Sequence, residues 1–184
     1  MSCFQNTNPK AGTANASDRI FDVQFSNVSS IEPVTIDEVK AYANIDYPDW
    51  DVLIEQTLIT AARETLEGYC NISVVDKTVT ALIQVENGQL LPYGPVKSTP
   101  AIIIKDEAGN VVNSVKTRGL NFLQVITPGI YTVQYAAGYT VVDKSLKQAI
   151  CAKVLASFEN RGDKVVEHYD SIFKQLAAPY MRKL

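Results

Sequence analysis

The sequence has few of the residues that mark metal sites and disulfide frameworks. Its 184 residues include one histidine and three cysteines. The cysteines, Cys3, Cys70 and Cys151, are odd in number and far apart, which suits neither a disulfide framework nor a paired zinc motif. We therefore expect three thiols, the last two buried. No run of 18 apolar residues occurs and the polar first ten residues do not resemble a secretory signal, so we expect no membrane and a cytoplasmic chain.

Catalytic signatures are equally scarce. The motifs GxSxG, GxxxxGK[ST], GxGxxG and HExxH do not occur, and the lone His168 lies in a polar stretch that suits a surface position. The best enzymatic candidate is an acidic group of Asp46, Asp49, Asp51 and Glu55, because carboxylates can hold a divalent cation or transfer protons. These residues lack EF-hand spacing, and a helix start accounts for most of them. We expect no enzyme, no cofactor and no metal, with a divalent-metal enzyme as the alternative.

Basic residues are in a slight minority. Seventeen lysines and arginines against twenty acids give a net charge of −3, whereas proteins that grip nucleic acid carry a basic face. Residues 1–70 hold four basic and eleven acidic side chains, and residues 143–184 hold eight and five. This separation suits head-to-tail contact between copies in a ring, although an ordinary solvated surface, which charge alone favours, explains it too.

The composition is that of a folded globular protein, with 46% hydrophobic and 20% charged residues. Residues 1–30 are expected to be a flexible tail and arm, and residues 31–184 a single domain. In the arm, Phe21, Val23 and Phe25 alternate with polar residues, which predicts a strand. That strand either docks on a neighbouring copy or forms an internal edge of its own sheet.

Helical signals flank a central β region, and they predict helices at residues 35–43, 49–69, 143–160 and 171–177. Thr35 and Glu38 form a capping box at the first start, and Trp50 is expected to cover the second. Residues 149–158 are almost wholly apolar. We expect the third helix to be buried between the helices and the sheet, with a subunit interface as the alternative.

The second predicted helix is amphipathic. Its apolar stripe comprises Ile54, Leu58, Ala61, Ala62, Thr65, Leu66 and Tyr69. The opposite polar face, which we expect to meet water or a neighbouring copy, comprises Gln56, Thr60, Arg63 and Glu67.

Residues 72–137 have the alternation and turn residues of about six short strands. Asn87-Gly88 and Pro128-Gly129 each predict a tight hairpin, and residues 106–110 predict a third turn. The expected fold class is α+β: a small helical bundle of about four helices with an inserted antiparallel β-sheet subdomain.

The order of these elements resembles the head-tail connector proteins of tailed bacteriophages. The resemblance covers residues 31–182, and Gly94 departs from it at a place where a basic or apolar residue often occurs. The segments that carry it are PVTIDEVK at 33–40, AARE at 61–64, LPYGPV at 91–96, VQYAAGY at 133–139, LKQAI at 146–150 and LAAPY at 176–180.

The resemblance implies a structural protein of the virion neck, assembled in the cytoplasm of the bacterial host. It implies a homo-oligomeric ring of twelve copies that binds the portal protein and then the stopper or tail-completion protein, with DNA passing through the lumen. A tail-completion protein or another neck component is the alternative.

Candidate interface residues follow from this interpretation and from the polar and apolar patterns. Phe21, Val23 and Phe25 would dock on an adjacent subunit, and the C-terminal segment would face the portal. The full set is Phe21, Val23, Phe25, Gln56, Thr60, Arg63, Glu67, Asn160, Arg161, Tyr180, Arg182 and Lys183.

Overall fold

A computed structural model describes residues 19–86, 88–112, 116–118, 121–124, 127–159 and 167–182. The helices are α1 Ile36–Ala43, α2 Asp51–Leu53, α3 Ile59–Cys70, α4 Lys144–Glu159 and α5 Glu167–Ala177. A π-helical turn, Ile54–Leu58, joins α2 to α3, and a 3₁₀ turn, Ala178–Tyr180, follows α5. The strands are β1 Ile20–Ser26, β2 Lys77–Val85, β3 Gly88–Leu90, β4 Ile103–Lys105, β5 Lys116–Arg118, β6 Phe122–Gln124 and β7 Gly129–Ala137.

The first helix begins and ends on local side-chain chemistry. The Glu38 amide donates to the Thr35 hydroxyl at 3.2 Å, and the Thr35 amide donates to the Glu38 carboxylate at 2.9 Å, so the predicted capping box is confirmed. Asn44 ends α1 in the left-handed conformation, with φ of 54°. The last helix starts at Glu167, four residues before the predicted start at residue 171.

The second predicted helix contains a π-helical turn that the sequence pattern did not reveal. The turn adds one residue, which rotates everything after it by about 100° relative to a regular helix. The buried series therefore runs from Ile54 to Ile59 and continues through Ala62, Leu66 and Cys70. The predicted apolar stripe is correct at Ile54, Ala62 and Leu66, but Ala61, Thr65 and Tyr69 are exposed.

Two separate cores hold the chain together. The first lies among the helices, and α4 contributes six of its buried residues while packing against α1, α3 and α5. The second lies between the sheets and includes Val79, Ile83, Leu123 and Tyr135. The expectation that α4 is buried between helices and sheet is therefore wrong, because other helices cover its apolar sides.

The strands form two antiparallel sheets instead of one. The larger has the order β1-β2-β7-β4 and the smaller β3-β6-β5. The ladder between β2 and β7 pairs Lys77 with Ala137 and continues to Val85 opposite Gly129. Alternate residues of these two strands are buried, and Leu91 and Leu123 belong to the same core. The prediction of six strands within residues 72–137 is confirmed.

Two of the three predicted hairpins are wrong. At the first, β2 ends at Val85 and β3 begins at Gly88, but the two strands belong to different sheets, and Asn87 itself lies outside the described residues. At the second, β6 and β7 on either side of Pro128 also belong to different sheets. The long β2–β7 ladder outweighs these local turn preferences, because it buries far more apolar surface than two three-residue strands could. The third prediction is confirmed, since Lys105 bridges Val111 across the loop.

The helical bundle has two distinguishable ends. Residues 38–50 run beside α4 in the same direction, as the Glu38–Lys147 ion pair and the Trp50–Phe158 ring contact show. At one end, Cys70 lies against Ala177 beside the β subdomain. The loop before α2 lies at the other end. Within the described residues, no helix is long and apolar enough to cross a membrane.

Candidate functional site

A buried ion cluster joins the helices to the sheet. The Arg63 Nε lies 2.8 Å from Glu32, its Nη1 lies 2.9 Å from Glu67, and the Lys77 Nζ lies 2.7 Å from Glu67. Glu67 also accepts a hydrogen bond from the Val74 amide at 2.7 Å. The cluster therefore connects the segment before α1, the helix α3 and the start of β2.

The cluster corrects the predicted polar face of the second helix. Arg63 and Glu67 are each only 3% exposed, so they make contacts inside the chain instead of meeting water or a neighbour. Burial by itself would lower the pKa of Arg63, but the hydrogen bond to Glu32 and the charge of Glu67 raise it overall. The arginine is a permanent cation in a nearly closed site.

The other two residues of that face differ from each other. The Thr60 hydroxyl donates to Glu32 at 2.9 Å and is half-buried, whereas Gln56 is exposed on the π-helical turn. Of the four residues, only Gln56 keeps the open position that an interface needs. The sequence analysis missed Glu32 and Lys77, although the i,i+4 spacing of Arg63 and Glu67 was a signal that these charges pair.

The predicted arm lies on its own chain. β1 pairs antiparallel with β2, Val23 opposite Ala81, and forms an edge of the larger sheet. Phe25 packs edge-on against Tyr93 with ring centroids 4.7 Å apart. This is the internal-edge alternative, although Phe21 and Phe25 remain 53% and 43% exposed.

A cavity of about 330 Å³ opens between β1 and α3, above the ion cluster. The Lys77 ammonium forms part of its wall, 4.7 Å from the centre of the Phe25 ring. Arg63, Glu67 and Lys77 in its wall already bind one another, so these three charged groups are not free for catalysis. Its lining residues are Phe25, Val28, Arg63, Glu64, Glu67, Gly68, Lys77 and Tyr93.

The C-terminal segment folds back onto the chain. The Arg182 amide donates to the Cys70 carbonyl at 2.9 Å, and the guanidinium fills the space beside Gly94 that a side chain at position 94 would occupy. The Arg182 Nη1 is buried without a hydrogen-bond partner among the described residues, and burial lowers the pKa of Arg182. The Arg182 side chain is thus engaged within its own chain, and the expectation that the C-terminal segment faces the portal stays a prediction. The Tyr180 hydroxyl donates to Asp143 at 3.0 Å.

The acidic candidates do not converge. Asp51 is 2.8 Å from the Lys40 ammonium, while Asp46, Asp49 and Glu55 are exposed side chains around the same helix start. In the described ranges, no three His, Cys, Asp or Glu side chains gather as metal ligands. The geometry of these four carboxylates thus gives the metal-enzyme alternative no support.

The thiols and the histidine agree with expectation where they are described. Cys70 and Cys151 are free and buried, and burial raises the pKa of each thiol to about 11. His168 is exposed beside Tyr169. The remaining predicted residues, Cys3, Asn160, Arg161 and Lys183, lie outside the described residues.

Comparisons with known proteins agree with this architecture. The model of the family described as "Head completion protein" matches residues 32–161. No curated protein matches the chain.

Solved structures share the fold at low sequence identity. A chain from the neck of an empty gene transfer agent particle, computed with C6 symmetry, aligns with a TM-score of 0.66 and 16% identity, covering 88% of this chain and 97% of that one. A chain from the neck of a native gene transfer agent particle, computed with C12 symmetry, aligns with a TM-score of 0.56 and 16% identity, covering 86% and 98%. A chain from the native virion of such a particle gives 0.59 at 16% identity, covering 83% and 94%.

Proposed function

The chain belongs to the head completion protein family, and we propose that it acts in the phage neck as a ring that joins the DNA-filled head to the stopper or tail. The observation that carries this proposal is the family match across residues 32–161. The role is structural. Chemistry is not needed for it, because a neck protein works by binding its neighbours.

Three features support a ring through which DNA passes. Two of the similar neck structures were computed with C6 and C12 symmetry, which suits twelve copies around one axis. The net charge of −3 suits a lumen through which DNA slides, because affinity for DNA comes from neutralised phosphates. The unequal distribution of charge along the chain suits a heterologous interface, which closes into a ring when its rotation permits.

Three of the predicted interface residues remain exposed. Phe21 and Phe25 are 53% and 43% exposed on the edge strand β1, and Gln56 is exposed on the π-helical turn. An edge strand offers unpaired backbone groups to a neighbouring sheet. We therefore place one side of the ring contact at the outer edge of β1, and propose that the ring assembles on the portal in the host cytoplasm.

Native mass spectrometry of the purified chain, alone and mixed with the portal protein of the same phage, tests the proposal. We expect a closed multiple, with twelve copies bound when the portal ring is present, because weak contacts become strong when several are engaged together. A chain that stays monomeric and ignores both the portal and the stopper at all concentrations would contradict the connector role. Titration with Mg²⁺ or Mn²⁺ checks the enzyme alternative, since a ligand bound only by the native state raises the melting temperature.

A further inference from the structure

The end of the bundle farthest from the β subdomain carries an unusual surface, which we name the bundle tip: residues 46–52 together with Glu55. Large apolar side chains lie exposed on it, with Tyr47 49%, Trp50 40% and Val52 67% accessible. Three exposed apolar side chains within six residues indicate a surface that contacts a partner.

The charge of the bundle tip is of one sign. Asp46, Asp49 and Glu55 are exposed and have no basic partner among the described residues. The nearby Lys40 ammonium is already occupied by Asp51 at 2.8 Å and by the Tyr47 carbonyl at 3.2 Å. In the described part of the chain, the tip therefore presents apolar groups next to carboxylates that have no ion-pair partner.

The bundle tip is also built as a firm platform. The Trp50 ring packs edge-on against Phe158 of α4, with centroids 6.1 Å apart, and the buried Ile54 anchors the next turn. A surface held by the core loses little conformational entropy when a partner binds.

We propose that the bundle tip is the docking face for a basic segment with apolar side chains, contributed by a different protein of the particle. This inference rests on the proposed neck function. Opposite charge steers and orients such a segment, while Tyr47 and Val52 supply the apolar contact. DNA does not suit the tip, because its phosphates would meet unpaired carboxylates.

Among the described side chains, a second copy of this chain offers few unpaired basic groups to the tip. Among the described side chains, the lysines without an acidic partner are Lys105 on β4, Lys144 at the start of α4 and Lys174 on α5. They lie on three separate elements. The Arg182 guanidinium, which the C-terminal segment was expected to present, is inserted beside Gly94 and is only partly exposed.

The test is binding of the purified full-length chain to two probes, the recombinant portal protein and the recombinant stopper or tail-completion protein of the same phage. Val52→Arg removes the apolar contact and repels a basic partner, so we expect binding of one probe to weaken at least about tenfold. The matched control is Val111→Arg, because Val111 is 58% exposed on the β subdomain. Asp46→Asn with Asp49→Asn should weaken the same binding and flatten its dependence on salt.

The outcomes separate the two ideas. If the wild-type chain binds a probe and Val52→Arg changes nothing, the bundle tip is not the docking face while the neck function stands. If Val52→Arg tightens binding, the partner is acidic and the inference is overturned. If Val52→Arg instead abolishes self-association, the occupant is a second copy. If the wild-type chain binds neither probe and forms no ring, the proposed function itself fails. Unchanged thermal unfolding of each variant verifies that the fold is intact.

Discussion

Glu67 shows how much one buried side chain can join. Its carboxylate receives the guanidinium of Arg63, the ammonium of Lys77 and the amide of Val74, which belong to α3, β2 and the connection between them. Opposite charges satisfied in this way tolerate burial, but the removal of one partner leaves the others uncompensated.

Replacement of Glu67 by glutamine tests the cluster. The variant keeps the shape and loses the charge, so we expect the free energy of unfolding to fall by about 3 kcal/mol in urea titrations. Glu64→Gln is the matched control: Glu64 is on the same helix and 3.6 Å from the same arginine, but its side chain is 66% exposed. That control should change stability by less than about 0.5 kcal/mol. Equal losses in both variants would contradict the view that burial makes the cluster important.

Gly94 and Arg182 form a second residue pair. A Cβ at position 94 would overlap the Arg182 guanidinium and approach the Asn121 side-chain oxygen to 2.8 Å. We expect Gly94→Ala to destabilise the protein by about 1–3 kcal/mol, as overpacked sites do. In the Arg182→Ala background the same change should cost clearly less, because the main obstacle has gone. A double-mutant cycle of urea unfolding measures this coupling, and additive effects would show that the two residues do not interfere.

At the scale of elements, some features are determined by neighbouring residues and others by packing between distant parts of the chain. The helix α1 is determined by groups within its own first turn, since Thr35 and Glu38 satisfy each other's amides. The π-helical turn has a different origin, because no side chain near Ile54 or Leu58 caps it. It allows Ile59 to follow Ile54 into the core across five residues, so packing against α4 determines where the turn lies.

The capping box gives α1 a dependence on pH. The Thr35 amide, and then Lys147, hold the pKa of Glu38 below its ordinary value of 4.5. A carboxyl whose pKa is lowered by folding stabilises the folded chain above pH 4.5, and this contribution is lost as the pH falls through the lowered value. Because the side chain is 45% exposed, we expect Glu38→Gln to cost only about 0.5 kcal/mol at pH 7.

Thermal unfolding at several pH values checks this expectation. The difference in stability between wild type and Glu38→Gln should have its largest value at pH 7 and should shrink steadily below pH 4.5. Asp46→Asn is the control, because this exposed acid lies outside α1 and makes none of its capping bonds. A difference that is the same at pH 3 and pH 7 would mean that the Glu38 charge contributes nothing.

At the scale of the whole molecule, β1 protects the hydrogen-bonding edge of β2 in the larger sheet. It is the outermost strand and pairs only with β2 among the described strands, yet Phe25 reaches Tyr93 and Lys77 beneath it. Without β1, the nine-residue strand β2 would become an exposed edge, and long exposed edges promote association between chains.

Deletion of residues 1–26 is therefore expected to lower the melting temperature and to cause concentration-dependent self-association, as measured by light scattering. The matched control is deletion of residues 1–18 alone, which leaves β1 in place. If both truncated chains behave alike, β1 does not contribute to the stability of the monomer. If ring assembly on the portal survives the longer deletion, the ring contact proposed at the edge of β1 is wrong.

The sequence alone determined the features that depend on neighbouring residues: the α+β class, the capping of α1 by Thr35, six strands between residues 72 and 137, and the burial of Cys70 and Cys151. It also carried the resemblance that the family match confirms. Each of these follows from capping, alternation or composition within a few residues, and such signals are present before the chain folds.

Only the tertiary structure decided which strands pair, which charges are buried and where the C-terminal segment lies. The partners of β2 and Glu67 come from distant parts of the chain, and one extra residue in the π-helical turn exchanged exposed for buried positions along α3. The periodicity of the sequence does not reveal these features. They depend on how much apolar surface the packed elements can bury, and on how many buried charges find partners.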